Sequence, residues 1–146
     1  MRVKRLDETD AAALVEISKA PGFPCELTED DAKAFCRGRL PSKEGVQTYG
    51  IFDGKALLSV ATATFCRVFP CADAPSGFIV HISGVYTLPE YRHRHYASEL
   101  LSAAEDDAKA FGAEYICCDS TQDGLYYSCG FQPAPDNETR MWKHVR

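Results

Sequence analysis

At 146 residues, with 45% hydrophobic and 25% charged residues, the chain has the length and balance of one globular domain spanning 1–146, long enough to bury a real core. A net charge of −5 and a pI near 5.3 exclude the broad basic face that nucleic-acid binding needs, and mildly favour a cationic acceptor such as an amine. No apolar run approaches membrane-spanning length, and Met1-Arg2-Val3-Lys4-Arg5 leads straight into acidic residues, so neither a membrane partner nor a secretory leader is expected. Seven cysteines (Cys25, Cys36, Cys66, Cys71, Cys117, Cys118, Cys129) are odd in number and form no C-x-x-C. They read as free thiols of a cytoplasmic protein, and with no histidine near Cys66 and Cys71 no metal site is expected.

In chain order, residues 3–6 read as a short edge strand. Thr9 is placed to cap a helix running to about residue 20, with Ala13, Leu14 and Ile17 inward, and Pro21-Gly22 ends it. Gly22-Phe23-Pro24-Cys25 is a turn-rich loop carrying an apolar ring. Thr28 starts a second helix, with Glu29, Asp30 and Asp31 in the first turn where the helix dipole prefers them; Gly38 and Pro41 close it. Strands over 46–52 and 57–69 are joined by Asp53-Gly54, a tight hairpin signal. The loop 70–77, with its Pro, Asp, Ser and Gly, returns the next strand antiparallel.

The stretch that follows organises the chain. Ile79, Val80, Ile82, Val85 and Tyr86 make 78–88 a strand with apolar weight on both faces, and Pro89 has no N–H to continue it. Leu100, Leu101, Ala104, Ala108 and Phe111 then recur at helical steps until Gly112. The first turn of that helix falls near 95–98, with no Ser, Thr, Asp or Asn just before it. A helix N-terminus carries unpaired N–H groups and the positive end of the dipole, so an uncapped one suits a phosphate. Arg92 and Arg94 bracket the spot and His93 and His95 add titratable charge; a solvated basic loop before a frayed helix has the same composition. Residues 114–119 form a strand reached by a right-handed parallel crossover, 123–129 a short helix ending at Gly130, and Phe131 opens a strand that Pro133 and Pro135 break. Residues 139–145 are the last strand. No repeat, Walker loop or G-x-G-x-x-G occurs.

Val85-Tyr86-Thr87-Leu88-Pro89-Glu90-Tyr91, running into Arg92-His93-Arg94-His95-Tyr96-Ala97, resembles the acetyl-coenzyme A signature of the GCN5-related N-acetyltransferases, V-Y-V-x-P-x-Y-R and Arg/Gln-x-x-Gly-x-Gly/Ala. The departure is His95, where the family usually has the glycine that lets the backbone approach the pyrophosphate. Leu125-Tyr126-Tyr127-Ser128-Cys129-Gly130-Phe131 matches the family's L-Y-x-x-x-G-F without departure, and the resemblance covers roughly residues 46–143.

The resemblance implies an α/β (α+β mixed) fold: a central, mostly antiparallel twisted sheet, a parallel fourth and fifth strand that splay apart, and helices on both faces. It implies acetyl transfer from acetyl-CoA to a primary amine of a small molecule or peptide. Cofactor contacts are expected along the backbone of Val85, Tyr86 and Thr87, and at Arg92, His93, Arg94, His95, Tyr96, Ala97 and Ser98. Tyr126 stands where the family's tyrosine protonates the departing thiolate, and a phenol with a pKa of about 10 keeps its proton at neutral pH. His81 aligns with the catalytic glutamate of histone-type members; it is a candidate base on a face with 83, 85 and 87, or a histidine bonded within the sheet. In the family the first loop and helix wall the acceptor pocket, which makes Phe23, Phe35 and Tyr49 lining residues or packing. Asp119 and Ser120, at the carboxyl end of the fifth strand, orient the acceptor or start the next helix. The alternative is a non-catalytic acyl-CoA-binding or regulatory module, which His95 favours and the intact Tyr126 motif opposes. The resemblance leaves a homodimer open.

Overall fold

The computed structural model describes residues 2–36, 45–119, 123–135 and 137–146. Its strands are β1 (Val3–Arg5), β2 (Gly45–Asp53), β3 (Ala56–Arg67), β4 (Phe78–Thr87), β5 (Tyr115–Asp119), β6 (Gln132–Ala134) and β7 (Asn137–His144). Its helices are α1 (Ala11–Ser18), α2 (Glu29–Phe35), α3 (Tyr96–Ala110) and α4 (Asp123–Ser128). The strands form one sheet in the order β1-β2-β3-β4-β5-β7-β6, antiparallel throughout except for β4 and β5. This is the mixed α/β architecture expected, with its parallel pair at the centre.

Alternation along the strands divides the core into two layers. Tyr49, Ile51, Ala63, Phe65, Phe78, Val80 and Ile82 pack with Leu100, Leu101, Ala104 and Ala108 of α3. On the other face Leu57, Val60 and Tyr86 pack with Leu14 and Ile17 of α1 and Ala32 of α2. A smaller cluster of Ile79, Tyr115 and Cys117, with Trp142 against it, continues toward the far end of the strands.

Several local expectations are corrected. The side-chain cap ahead of the first helix is Asp7 and not Thr9, and it closes the 3-10 turn Glu8–Asp10: Asp7 accepts from the Thr9 backbone N–H (2.9 Å), and its own N–H donates to Asp10 (2.9 Å). That turn runs directly into α1, whose own N-cap, Asp10, makes no side-chain capping bond, so the capping side chain lies two residues nearer the N-terminus than Thr9. At the first hairpin Asp53 still pairs with Ala56, so the turn residues are Gly54 and Lys55. Pro133 sits within β6 instead of ending it, because β6 is an edge strand and tolerates a missing N–H. Thr28 does cap α2, accepting from the Asp31 N–H at 3.2 Å. Gly38 and Pro41, expected to close α2, lie outside the described residues.

The feature that positions the site is in the middle of the sheet. β4 pairs with β5 only from Val80 to Ile82, against Ile116 to Cys118. Beyond Ile82, β4 runs on to Thr87, still bonded to β3 on its other side. Among the described residues no strand covers the β5-side edge of 83–87.

Candidate functional site

That uncovered edge opens on a cleft of about 620 Å³, lined by Val85, Tyr86 and Thr87 on one side and by the start of α3 on the other. The start of α3 is built without a lid. His95 is the N-cap and makes no side-chain capping bond; the first backbone bond of the helix runs from the Glu99 N–H to the His95 carbonyl (3.1 Å). The N–H groups of Tyr96, Ala97 and Ser98 therefore lie in the turn with no helical acceptor, and all three residues line the cleft. The helix dipole adds partial positive charge at the same point.

The loop that delivers the chain there is unusual. His93 and His95 both sit at φ 64, in the left-handed region. That conformation costs a residue with a β-carbon about 1 kcal/mol, and such cost gathers at functional sites. Each αL residue turns the chain sharply, and with two of them in three positions Arg92, His93, His95 and Tyr96 all line the cleft. Arg92 Nε donates to the Thr87 carbonyl (2.9 Å), and its guanidinium lies 5.5 Å from the Tyr86 ring centroid. This bond ties the loop to the last residue of β4.

Nine of the ten residues expected at the cofactor thus share one cleft. Arg94 is the exception. Its guanidinium turns back over Tyr91 (5.3 Å to the centroid) and reaches the Glu90 carbonyl at 3.5 Å, away from the lining. Residues not expected there are Gly22 and Pro24 from the loop after α1, Tyr91, and Leu125 and Ser128 of α4. Leu125 and Ser128 are three apart on a helix and so share a face; the L-Y-x-x-x-G-F motif specifies the first of them and not the second. Tyr86 anchors the loop by donating its hydroxyl to the Pro21 carbonyl (2.7 Å) and by an edge contact with Phe23 at 5.1 Å.

Tyr126 lies one position round from Leu125 and points inward. It is 5% exposed, packs edge-on against Phe131 (5.4 Å), and its hydroxyl is hydrogen-bonded to the Cys118 thiol. It therefore stands behind the cleft, against the last β5 residue that pairs with β4. Burial pushes the Cys118 thiol up to about 11, with the Tyr126 bond acting against that rise. Cys117 rises for the same reason, burial, to about 12, so neither thiol is ionised at neutral pH.

His81 belongs to a second group of polar residues on the α1–α2 face. Its Nε2 is 3.3 Å from Asp119 Oδ2, and Asp119 Oδ1 accepts from Arg140 Nε at 3.3 Å. Partial burial opposes ionisation of Asp119, but the bonds from Arg140 and His81 hold it below the usual carboxylate range. Arg140 was not expected; it reaches Asp119 because β5 and β7 pair with these two residues opposite each other.

The face assigned to His81 is corrected. Gly84 sits at φ 61, and the β3–β4 register slips there, with Ser83 opposite Thr62 and Tyr86 opposite Val60. The extra residue is a bulge, and a bulge reverses the alternation. His81 and Ser83 consequently share a face with Tyr86, while Val85 packs on the α3 side.

The three aromatic candidates separate. Phe23 and Phe35 line one apolar pocket of about 170 Å³ under the loop joining α1 and α2, with Ser83 and Gly84 at its base. Tyr49 is not part of it. It is fully buried on the α3 side, donating its hydroxyl to Asp107 (2.6 Å), which also accepts from Nε and Nη2 of Arg5 (2.9 and 2.7 Å). Burial, reinforced by that bond, drives its phenol far above the usual range. Ser120 lies outside the described residues. Among the described residues no group of His, Cys, Asp and Glu is placed to hold a metal, and no helix is long and apolar enough to cross a membrane.

Residues 12–131 match the family model described as the acetyltransferase (GNAT) family. No curated protein sequence matches the chain significantly. Among solved structures, Arabidopsis thaliana NAA60 in complex with acetyl-CoA superposes with a TM-score of 0.76 at 12% identity, covering 98% of this chain and 97% of that one. A predicted acetyltransferase with acetyl-CoA from Clostridium acetobutylicum gives 0.72 at 19% identity, covering 92% of each chain. The PaiA N-acetyltransferase of Thermoplasma acidophilum, in complex with coenzyme A, gives 0.66 at 18% identity over 97% of both chains.

Proposed function

Because this chain belongs to the GNAT acetyltransferase family, we propose that it is an N-acetyltransferase moving an acetyl group from acetyl-CoA to a primary amine. One observation carries the reading. The uncapped amides of Tyr96, Ala97 and Ser98 and the unpaired edge of Val85–Thr87 face one cleft, with Arg92 between them. Buried or half-buried backbone groups need partners, and these two sets call for different ones. The helix end suits a diphosphate; the strand edge suits an amide-bearing chain that adds to the sheet. Coenzyme A carries both in one molecule, and its acetyl thioester supplies the acyl carbon to which the amine nitrogen bonds as the carbon–sulfur bond breaks.

The residues then divide the work. His81 takes the proton that an ammonium must lose before its nitrogen has a lone pair, and Asp119, held ionised by Arg140, keeps the imidazole oriented. Tyr126 is the donor to the departing sulfur. Its hydroxyl reaches β5 at Cys118, where the parallel pair begins to part. On the α1–α2 side the cleft is lined by Pro24 and Tyr86.

A second reading has its own observation. Tyr126 is buried behind the lining residues, and His95 stands where the family usually has glycine, as in a module that binds acyl-CoA without turnover. Calorimetry with acetyl-CoA and thiol release across an amine panel, with the protein's own cysteines subtracted, separate the two. Acetyl-transfer predicts micromolar binding and amine-dependent release; binding with no release under any amine supports the module. Tyr126→Phe is expected to lower kcat by about tenfold or more with cofactor affinity unchanged. Unchanged kcat removes Tyr126 from the mechanism.

A further inference from the structure

We infer that the acceptor bears one compact apolar side chain beside its amine, seated in the pocket under the α1–α2 loop. The inference rests on the acetyl-transfer reading, since it names the acceptor of that reaction. The pocket and the cofactor cleft are neighbours with a common wall: Pro24 lines both, and β4 passes from one to the other, Ser83 and Gly84 facing the pocket and Val85 to Thr87 the cleft. A group held in the pocket is therefore one residue's step along β4 from the end of the cleft.

Its chemistry is selective. Leu14, Phe23, Leu27, Phe35 and Val60 form the walls. Thr48 and Thr62 are at the base, and their hydroxyls bond each other at 2.9 Å, so their polarity is already engaged. Among the described residues lining it there is no Asp, Glu, Lys or Arg. A lysine or polyamine chain placed there loses hydration and gains no counter-charge from those residues, which disfavours it. An apolar side chain gains by leaving water.

Size narrows the class further. The volume is about 170 Å³, close to the roughly 150 Å³ apolar cavity that accepts one benzene ring. That admits a side chain of leucine, methionine or phenylalanine size. The polar remainder of the acceptor falls toward the open side of β4, where His81 shares a face with Ser83 and is paired with Asp119.

The test is the rate of thiol release from acetyl-CoA with matched acceptors. These are the amides of leucine, methionine, phenylalanine, serine, lysine and glutamate, the same residues at the head of tripeptides, and spermidine. The expected result is a kcat/KM at least about tenfold higher for the three apolar side chains than for the polar ones. The amide and tripeptide arms distinguish a free apolar amine from a peptide terminus. Equal or faster turnover of lysine amide or spermidine overturns the inference while leaving acetyl transfer intact. Cys25→Glu, at an exposed residue on the pocket rim, is expected to cut the leucine-to-lysine preference about tenfold; an unchanged preference counts against the pocket. If acetyl-CoA binds and no amine is turned over, acetyl transfer fails by itself. Calorimetric titration of leucine amide and lysine amide into the coenzyme A complex then decides the pocket: selective leucine amide binding supports it, and its absence overturns it.

Discussion

The 3-10 turn Glu8–Asp10, which leads into the helix that starts at Ala11, closes on itself. Asp7 accepts from Thr9, Asp10 accepts from Asp7, and Lys4 holds Asp10 from outside at 2.9 Å. The first turn of α3 has no such closure. Its cap residue, His95, is a left-handed residue with no capping bond, and a second left-handed histidine stands two positions before it. Both ends carry the same orphan N–H groups, and the chain satisfies one set with its own carboxylates and leaves the other facing a cleft. The difference teaches which end is structural. A capped end lowers the energy of the folded chain alone; an open end, strained and with Arg92 beside it, lowers it only when an anion arrives.

Giving the open end a carboxylate of its own is the harshest way to break this contrast. His95→Asp places a negative charge where a diphosphate is proposed to sit, and acetyl-CoA affinity is expected to fall about 30-fold, roughly 2 kcal/mol, by calorimetry. Affinity within twofold of the parent would mean that the α3 end is not the anion seat. Next in size, Arg92→Ala removes the guanidinium that ties the loop to Thr87, and a loss of about tenfold in the same titration is expected. Treating the closed end likewise sharpens the contrast: Asp7→Ala is expected to lower Tm by about 3 °C and leave acetyl-CoA affinity unchanged. A change in affinity there would erase the distinction between the two ends.

The smallest effect is in pH. Hydrogen bonds from the Thr9 hydroxyl and backbone N–H hold the Asp7 carboxyl below its usual range. A depressed carboxylate contributes stability that is complete above its unfolded pKa of about 3.9 and disappears as pH falls through the lower folded value. Asp7→Asn keeps a capping acceptor and removes the titration. Its Tm is therefore expected to fall less than the parent's between about pH 7 and pH 3; an equal fall would show that the cap is not linked to acid stability.

Much of this was readable from residues close in sequence. The organising strand and helix announced themselves through apolar spacing, Pro89 and Gly112, and the open end through what was missing before Tyr96. What misled was non-local or hidden in a single glycine. Gly84 in a strand is a bulge signal; strict alternation through it places His81 on a face with Val85, and the bulge places it with Tyr86. Tyr49 follows Gln47 and precedes Ile51 on the α3 face, and its hydroxyl is satisfied by Asp107, 58 residues away, which no local pattern reveals. Arg94 looks equivalent to Arg92 in a list of basic residues. The left-handed turn at His93 separates them and sends one toward Thr87 and the other onto Tyr91. Arg140 entered only through the pairing of β5 with β7.

A backbone-amide NMR titration with acetyl-CoA reads the central claim directly. The amides of Tyr96, Ala97 and Ser98 are expected to shift and gain exchange protection together with those of Val85 to Thr87, while the amides of Asp7 to Asp10 stay where they were. Saturable binding that leaves residues 96–98 unmoved would contradict it.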